Sequence, residues 1–380
     1  MKKISSVLII ASVTEISTAN YLITAFRKAG CRLFVCSDVA SDKVDLLVSG
    51  VVDVGDVCKK FSVNPDLILF VEGGTMRVLP VAMDKVNSIS AWYGIDTHMD
   101  YEKHLKIGRL FDISFIAQKQ YVEKLKEDGI KQVSWLPLAF ATELLNSLPI
   151  EKTIDISYVG SNNPTVHQLR HKIIEELKHN FPSSFFGMAN PILMEEIYSK
   201  SYLVFNKSIN NDVNMRFFES LGAGTVLVTD LILDNGLEEV FLEGQHYFVY
   251  KDPAEIVSLI TNLLTNKKLL QRLGKSARNY VLKNHTYDNR ISSMSEIVIK
   301  ANKTKSSSSE NYFSACLALG LYGDALFYLS KAFKFSSKIG IRGFLSKSIS
   351  YLLVTISKII KMIESILISA PKIKQKFLIK

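Results

Sequence analysis

Only four cysteines occur in the chain, Cys31, Cys36, Cys58 and Cys316, and no two of them form a Cys-x-x-Cys pair or join a His/Cys cluster. Their scarcity argues against a zinc site and against a disulfide scaffold, and suits a reducing cytoplasm. No Gly-x-Gly-x-x-Gly follows the first apolar run, so a dinucleotide site is not expected there. No Asp-x-Asp occurs to suggest a metal-bound diphosphate. The N-terminal apolar run, 7–11, is too short for a signal peptide and is followed by Glu15, so it reads as a buried strand. Acidic residues are nearly missing from the last fifty positions, where Glu364 stands against eleven Lys and Arg. That segment therefore carries +10 of the net +9, and the remaining 330 residues sum to −1. The basic character belongs to a tail and not to a nucleic-acid-binding body, and no aromatic-plus-basic RNA signature appears elsewhere.

What is present is a globular composition, 47% hydrophobic and 22% charged over 380 residues, enough for two ordinary domains and something smaller. Residues 1–150 alternate apolar strand signals (6–11, 32–36, 65–71, 89–94, 112–117, 133–138) with helical ones (17–29, 119–128). Near-continuous apolar strands separated by helices predict a parallel sheet covered on both faces. A linker at 148–152 precedes a second run of the same kind over 151–300. The fold class is α/β: two Rossmann-like parallel-sheet domains facing a cleft, with a helical C-terminal extension. Ligands in such sheets bind beyond the carboxyl ends of the strands. Three loops meet that rule, 94–98, 160–163 and 206–212, all rich in Gly, Ser, Asn or Asp.

The stretch 210–225 organises the second domain. Asn210, Asn211 and Asp212 suit a helix N-cap; Val213, Phe217 and Leu221 give one apolar helical face; Gly222-Ala223-Gly224 ends the helix before the apolar strand 225–229. Arg216 and Glu219 are three apart and therefore neighbours. A guanidinium near a helix N-terminus suits a phosphate, and a carboxylate one turn on can accept two ribose hydroxyls. The same spacing also suits an Arg–Glu pair stabilising an exposed helix.

A Ser-rich linker at 305–310 leads to a helical hairpin over 309–336, which resembles one tetratricopeptide unit. One unit cannot bury its own face, so it is expected to pack on the second domain or on a partner. In the tail, 340–380, apolar residues recur in steps of three and four from Leu345 to Leu367, and the longest uncharged run, 348–357, is about half of a bilayer span. Two readings stand: a basic amphipathic helix on an anionic membrane surface, and a helix packed on the body with solvated lysines.

The pieces 155–161, Arg170, 214–224, 227–230, 250–252 and 285–290 resemble, in order and spacing, the C-terminal domain of the GT-B glycosyltransferases, and within them the CgeB-like or "glycosyl transferases group 1" family. The first half is similar only in style, through 92–96 and 135–137. The resemblance implies a nucleoside-diphosphate sugar as donor substrate, held by the second domain, with no other cofactor. It implies an acceptor at the first domain: a glycan, a lipid-linked sugar or a protein. Glu219 stands at the ribose-contacting position, with Asn214, Gly222 and Gly224 in the same motif. Arg216, the turn Gly160-Ser161-Asn162 and Arg170 would face the diphosphate. No bound metal is implied, because helix N-termini and Arg or Lys offset the leaving group. Related retaining families carry a second Glu eight residues earlier, where this chain has Asn211, which leaves the stereochemistry open. The catalytic base must come from the cleft, and Asp96 and His98 are the first candidates, with Glu72 third. His285 is expected to be structural, and Asp38 to cap a turn. The function expected is cytoplasmic sugar transfer of hexosyltransferase type, with the tail at the inner face of the membrane in the first reading above. The alternatives are a sugar-nucleotide epimerase of the same fold and a non-catalytic GT-B-like scaffold.

Overall fold

The computed structural model describes residues 4–72, 76–145, 151–304, 308–336 and 353–360, side chains being described to 329 and over 353–360. The first domain runs β1 (Ser6–Ala11), α1 (Thr18–Lys28), β2 (Arg32–Ser37), β3 (Leu46–Leu47), β4 (Gly50–Asp53), α2 (Val54–Phe61), β5 (Leu67–Val71), β6 (Val78–Val81), β7 (Ile89–Gly94), α3 (Tyr101–Gly108), β8 (Ile113–Ile116), α4 (Val122–Glu127) and β9 (Val133–Trp135). Seven of these strands form one parallel sheet in the order β3-β2-β1-β5-β7-β8-β9. β4 and β6 pair separately, also in parallel. The central strands explain the unbroken apolar runs: all five residues of β5 are buried, because helices cover both faces.

The second domain runs β10 (Ile154–Val159), α5 (Gln168–Asn180), β11 (Ser184–Gly187), α6 (Pro191–Ser199), β12 (Ser201–Phe205), α7 (Met215–Gly222), β13 (Val226–Asp230), α8 (Leu237–Val240), β14 (Tyr247–Tyr250), α9 (Ile256–Leu264) and α10 (Lys267–Asn284). Its parallel sheet has the order β11-β10-β12-β13-β14. α7 buries Phe217, Phe218 and Leu221, with Phe217 stacked on Phe241 at 6.1 Å between ring centroids. Each such aromatic contributes roughly 1.5–3 kcal/mol of burial.

After α10 the chain crosses back, and α11 (Tyr287–Lys300) packs on α1 of the first domain. Tyr287 stacks on Tyr21 at 5.5 Å, and Lys28 pairs with Asp288. The return lies beside the outward crossing: the Phe140 N–H donates to His285 O at 2.9 Å, and the Tyr287 N–H donates to Phe140 O at 3.2 Å. Arg290 donates through Nε to Pro137 O (2.7 Å) and through Nη2 to Leu138 O (2.9 Å). The structural role expected of His285 fits its place here, its Nδ1 lying 3.0 Å from Arg290 Nη2.

The hairpin of α12 (Ser309–Ala318) and α13 (Tyr322–Ser336) forms, but not on the second domain. It covers the second face of the first domain's sheet, where Tyr312, Ala315, Cys316, Ala325 and Tyr328 join the core made by Leu8, Ile68, Phe70 and Trp92. Tyr312 Oη accepts the Ala82 N–H at 3.1 Å. The apolar periodicity of the hairpin says that one face is buried; it cannot say against which domain. Residues 353–360 are helical, with Ser357 donating to Gly323 O and Ile359 exposed. The rest of the tail stripe, and most of the linker expected at 148–152, lie outside the described residues.

Candidate active site

Every strand of the first sheet that reaches the cleft contributes a residue just past its carboxyl end. Thr14 follows β1, Glu72 follows β5, Asp96 follows β7, Gln118 follows β8 and Leu138 follows β9. Together with Asp212, Asn214 and Met215 of the second domain they line a cavity of about 360 Å³. The loop rule thus brings two of the expected site residues, Asp96 and Asn214, into one cavity.

Asp96 is held there by its neighbours and not by its own side chain. Glu72, 3% exposed, accepts the backbone N–H groups of Ile95 (2.6 Å) and Asp96 (3.0 Å) on one oxygen. Its other oxygen lies 3.2 Å from His104 Nε2, and His104 Nδ1 lies 3.1 Å from Thr97 Oγ1. Burial would raise the Glu72 carboxyl, but His104 and the two N–H groups outweigh it and hold the pKa below the ordinary range. With both oxygens engaged, Glu72 is a loop anchor and not the third candidate base. Burial first, then the charges of Glu72 and Asp212, push Asp96 up to about 6. That suits a group that exchanges a proton near neutrality.

His98 does not line the cavity but faces its second-domain wall. Burial lowers its pKa, against the pull of Asp212. Its carbonyl accepts Asn210 Nδ2 at 3.1 Å, and its Nδ1 is buried without a partner. Asp212, 7% exposed, has its pKa raised by burial, against the pull of His98. Asp212 is the carboxylate that the sequence reading missed as a site residue, because it looks like one more N-cap. In the structure α7 begins at Met215, and Asn214 occupies the N-cap position without a side-chain cap bond. Asn210 and Asn211 take left-handed backbone, φ 48° and 68°, in a loop instead of a cap. Asp212 accepts the Ile209 N–H at 2.7 Å, which closes that loop and turns the carboxylate toward the cavity wall.

Asn211 is committed elsewhere. Its Oδ1 accepts the Leu233 N–H at 2.8 Å, and its Nδ2 donates to Leu233 O and, at 3.2 Å, to Gln120 Oε1 of the first domain. It is a staple across the cleft.

Arg216 and Glu219 lie side by side as their spacing predicts, both partly exposed. Arg216 donates through Nη1 to Asn206 Oδ1 (2.6 Å) and through Nη2 to Val159 O (3.0 Å), with its guanidinium 4.4 Å from the Tyr158 ring centroid. Asn206, fully buried, also accepts Asn214 Nδ2 at 3.1 Å, so it registers the start of α7 against the end of β12. The Glu219 carboxylate has no hydrogen-bond partner among the described residues. Burial pushes it up to about 7, with Arg216 pulling it back.

Gly160 has φ 150°, and a Cβ there would come within 2.9 Å of Arg216 Nη2, so the turn at the end of β10 needs glycine. Ser161 is exposed, and Asn162 keeps a buried Oδ1 without a partner. Arg170, from α5, donates to Ser161 O (3.4 Å) and Lys207 O (3.1 Å), which ties that turn to the loop after β12. Gly222 and Gly224 are not in the site. They sit at the far end of α7, where a Cβ on Gly222 would lie 2.3 Å from Phe140 Cδ2. Gly224, at φ 84°, ends the helix against Arg278 and Gly274. Their part in the motif is close packing and chain reversal. Asp38 accepts Ser12 Oγ at 2.6 Å, away from the cavity lining. No cluster of His, Cys, Asp and Glu able to hold a metal ion occurs among the described residues, and none of their helices is long and apolar enough to cross a membrane.

Residues 170–296 match the family described as "Glycosyl transferase-like". A search of curated protein sequences returns no match. Among solved structures, the chain is similar to sucrose-phosphate synthase from Thermosynechococcus elongatus, at 12% identity and TM-score 0.54, over 78% of this chain and 98% of that one. It is similar to HepE from Anabaena in complex with UDP-glucose, at 12% identity and TM-score 0.55, over 77% and 99% of the two chains. It is also similar to an α-glucosyltransferase in complex with UDP and DNA, at 11% identity and TM-score 0.54, over 78% and 99%. The chain has the GT-B fold, and the match to the glycosyl transferase-like family falls on its second domain and α11.

Proposed function

We propose that the chain is a glycosyltransferase of hexosyltransferase type that moves a sugar from a nucleoside-diphosphate sugar to a glycan, lipid-linked or protein acceptor. The observation that carries this reading is Glu219: a carboxylate one turn into α7, desolvated, partly exposed and without a hydrogen-bond partner among the described residues, beside Arg216, which donates to Val159 O at the carboxyl end of β10. A desolvated carboxylate left unbonded is costly unless a ligand completes it, and two vicinal hydroxyls of a ribose do so. UDP and UDP-glucose bound to structures of the same fold support the donor class.

In this reading the N–H groups at the start of α7, the Gly160–Asn162 turn and the remaining donors of Arg216 and Arg170 offset the leaving diphosphate, so no metal is required. Asp96 accepts the proton of the acceptor hydroxyl as the new glycosidic bond forms and the sugar–diphosphate bond breaks. The test is thermal unfolding with UDP, GDP, ADP, CMP and dTDP in turn. One nucleotide should raise the melting temperature, since a ligand bound only by the folded state stabilises it by mass action. Glu219→Ala should abolish that shift; a panel without any shift, or a shift indifferent to Glu219→Ala, overturns the reading.

The basic tail is part of the same proposal: it lies on an anionic membrane surface at the cytoplasmic side and brings the site to a lipid-linked acceptor. Full-length protein should sediment with anionic vesicles at low salt, and protein lacking residues 340–380 should not. Full-length protein that stays in the supernatant ends the membrane part.

A further inference from the structure

The cavity between the domains holds hydrogen-bond acceptors in excess. Asp96 makes no side-chain hydrogen bond among the described residues, whereas Asp212 accepts the Ile209 N–H on Oδ1 and a side-chain hydrogen bond from Asn214. Gln118, 2% exposed, has its Oε1 buried and unpartnered, and Asn214 Oδ1 is in the same condition. Glu72 also lines the wall. No Lys or Arg does.

The cations that face Asp96 are engaged with other carboxylates. Asp96 faces Glu72, Asp212, His104 and Lys103, and Asp212 faces His98, Arg216 and Arg170. His104 is bonded to Glu72, Lys103 is 3.4 Å from Asp100, and Arg216 donates to Asn206 and Val159. Buried acceptors without donors are costly, and a ligand that brings donors recovers that cost. A ligand that brings another negative charge adds repulsion in a partly desolvated site.

We infer that this cavity takes the acceptor's sugar unit, and that the unit is rich in hydroxyl or amino donors and carries no anionic substituent, as the unpartnered oxygens of Asp96, Gln118 and Asn214 and the carboxylates of the wall require. The word acceptor rests on the glycosyltransferase reading above; the charge selection rests on the cavity alone. Most of the lining comes from the first domain and Glu219 is not part of it, so the ribose contact proposed above lies outside this cavity.

The experiment measures binding of glucose, glucosamine and glucuronic acid to the full chain by calorimetry at pH 7.5, with and without the nucleotide that stabilises it. Glucose and glucosamine should bind, and glucuronic acid should bind at least roughly tenfold more weakly. In Asp96→Asn the penalty on glucuronic acid should shrink to a few fold, provided the unliganded variant melts normally. Wild type supplies an independent check: the penalty should shrink below about pH 6, where Asp96 is protonated. Glucuronic acid binding as tightly as glucose, or no binding of any of the three, overturns the inference. A nucleotide shift with no preference among sugars leaves the transferase reading standing; sugar selectivity with no nucleotide shift does the reverse.

Discussion

Glu72 fixes Asp96 by its backbone: the Glu72 carboxylate accepts the Asp96 N–H at 3.0 Å while its other oxygen is 3.2 Å from His104 Nε2. A buried pair broken from one side leaves an uncompensated partner, so Glu72→Ala should cost about 3–5 kcal/mol. The Glu72 pKa is depressed in the folded state, so its contribution is complete above the unfolded value of about 4.3 and is lost as pH falls through the folded one. Urea titrations across pH 3–6 check this: the wild type should lose more stability toward acid than Glu72→Gln.

The activity should report Asp96. With its pKa near 6, the basic form is lost below that value, and kcat/KM should fall about tenfold for each pH unit under it. Asp96→Asn should remove most of the activity at every pH while leaving the nucleotide-induced melting shift intact. A variant that keeps both the activity and the limb would assign the base elsewhere.

Glu219 should show the opposite stability sign from Glu72. Its folded pKa is raised to about 7, so the cost of ionising it appears above the unfolded value near 4.3 and is complete above pH 7. Glu219→Gln should therefore be more stable than wild type at pH 8, by on the order of 1–2 kcal/mol after allowance for its partial exposure, and no more stable at pH 4. Thermal melts at the two values decide it.

Gly222 should tolerate no side chain. A Cβ 2.3 Å from the Phe140 ring must displace the chain where it crosses between domains, so Gly222→Ala should cost about 1–3 kcal/mol. Phe140→Leu in the same chain should return part of the loss, which a double-mutant cycle measures.

The legible part of this molecule is the part written in short periods. Apolar runs gave nearly all of the central strands, and the i, i+4 face of Phe217 and Leu221 gave α7 and the pairing of Arg216 with Glu219. Single-turn context misled at Asp212: three cap-forming residues in a row precede the N-cap without capping, and tertiary hydrogen bonds with Leu233 and Gln120 hold Asn211 away from the helix. Gln118 gave no signal, since an amide after a strand becomes notable only when the opposite domain closes over it. The short pair β4 and β6 escaped because each has four residues and its partner lies more than twenty positions away. Gly222 and Gly224 read as ligand contacts by motif, whereas a neighbouring ring and a left-handed turn account for them.

The hairpin α12–α13 completes the core of a domain that begins at the other end of the chain. On the ribosome the first sheet emerges well before the residues that cover its second face, and α11, which covers α1, is also late. Until about residue 328 has been made, Leu8, Ile68 and Phe70 lack part of their cover, and closing that gap spans a loop of some two hundred residues or more. Synthesis order therefore makes the last-made helices a folding checkpoint: a chain cut short before them carries both sheets complete with an open apolar face, the condition in which aggregation and proteolysis compete best with folding.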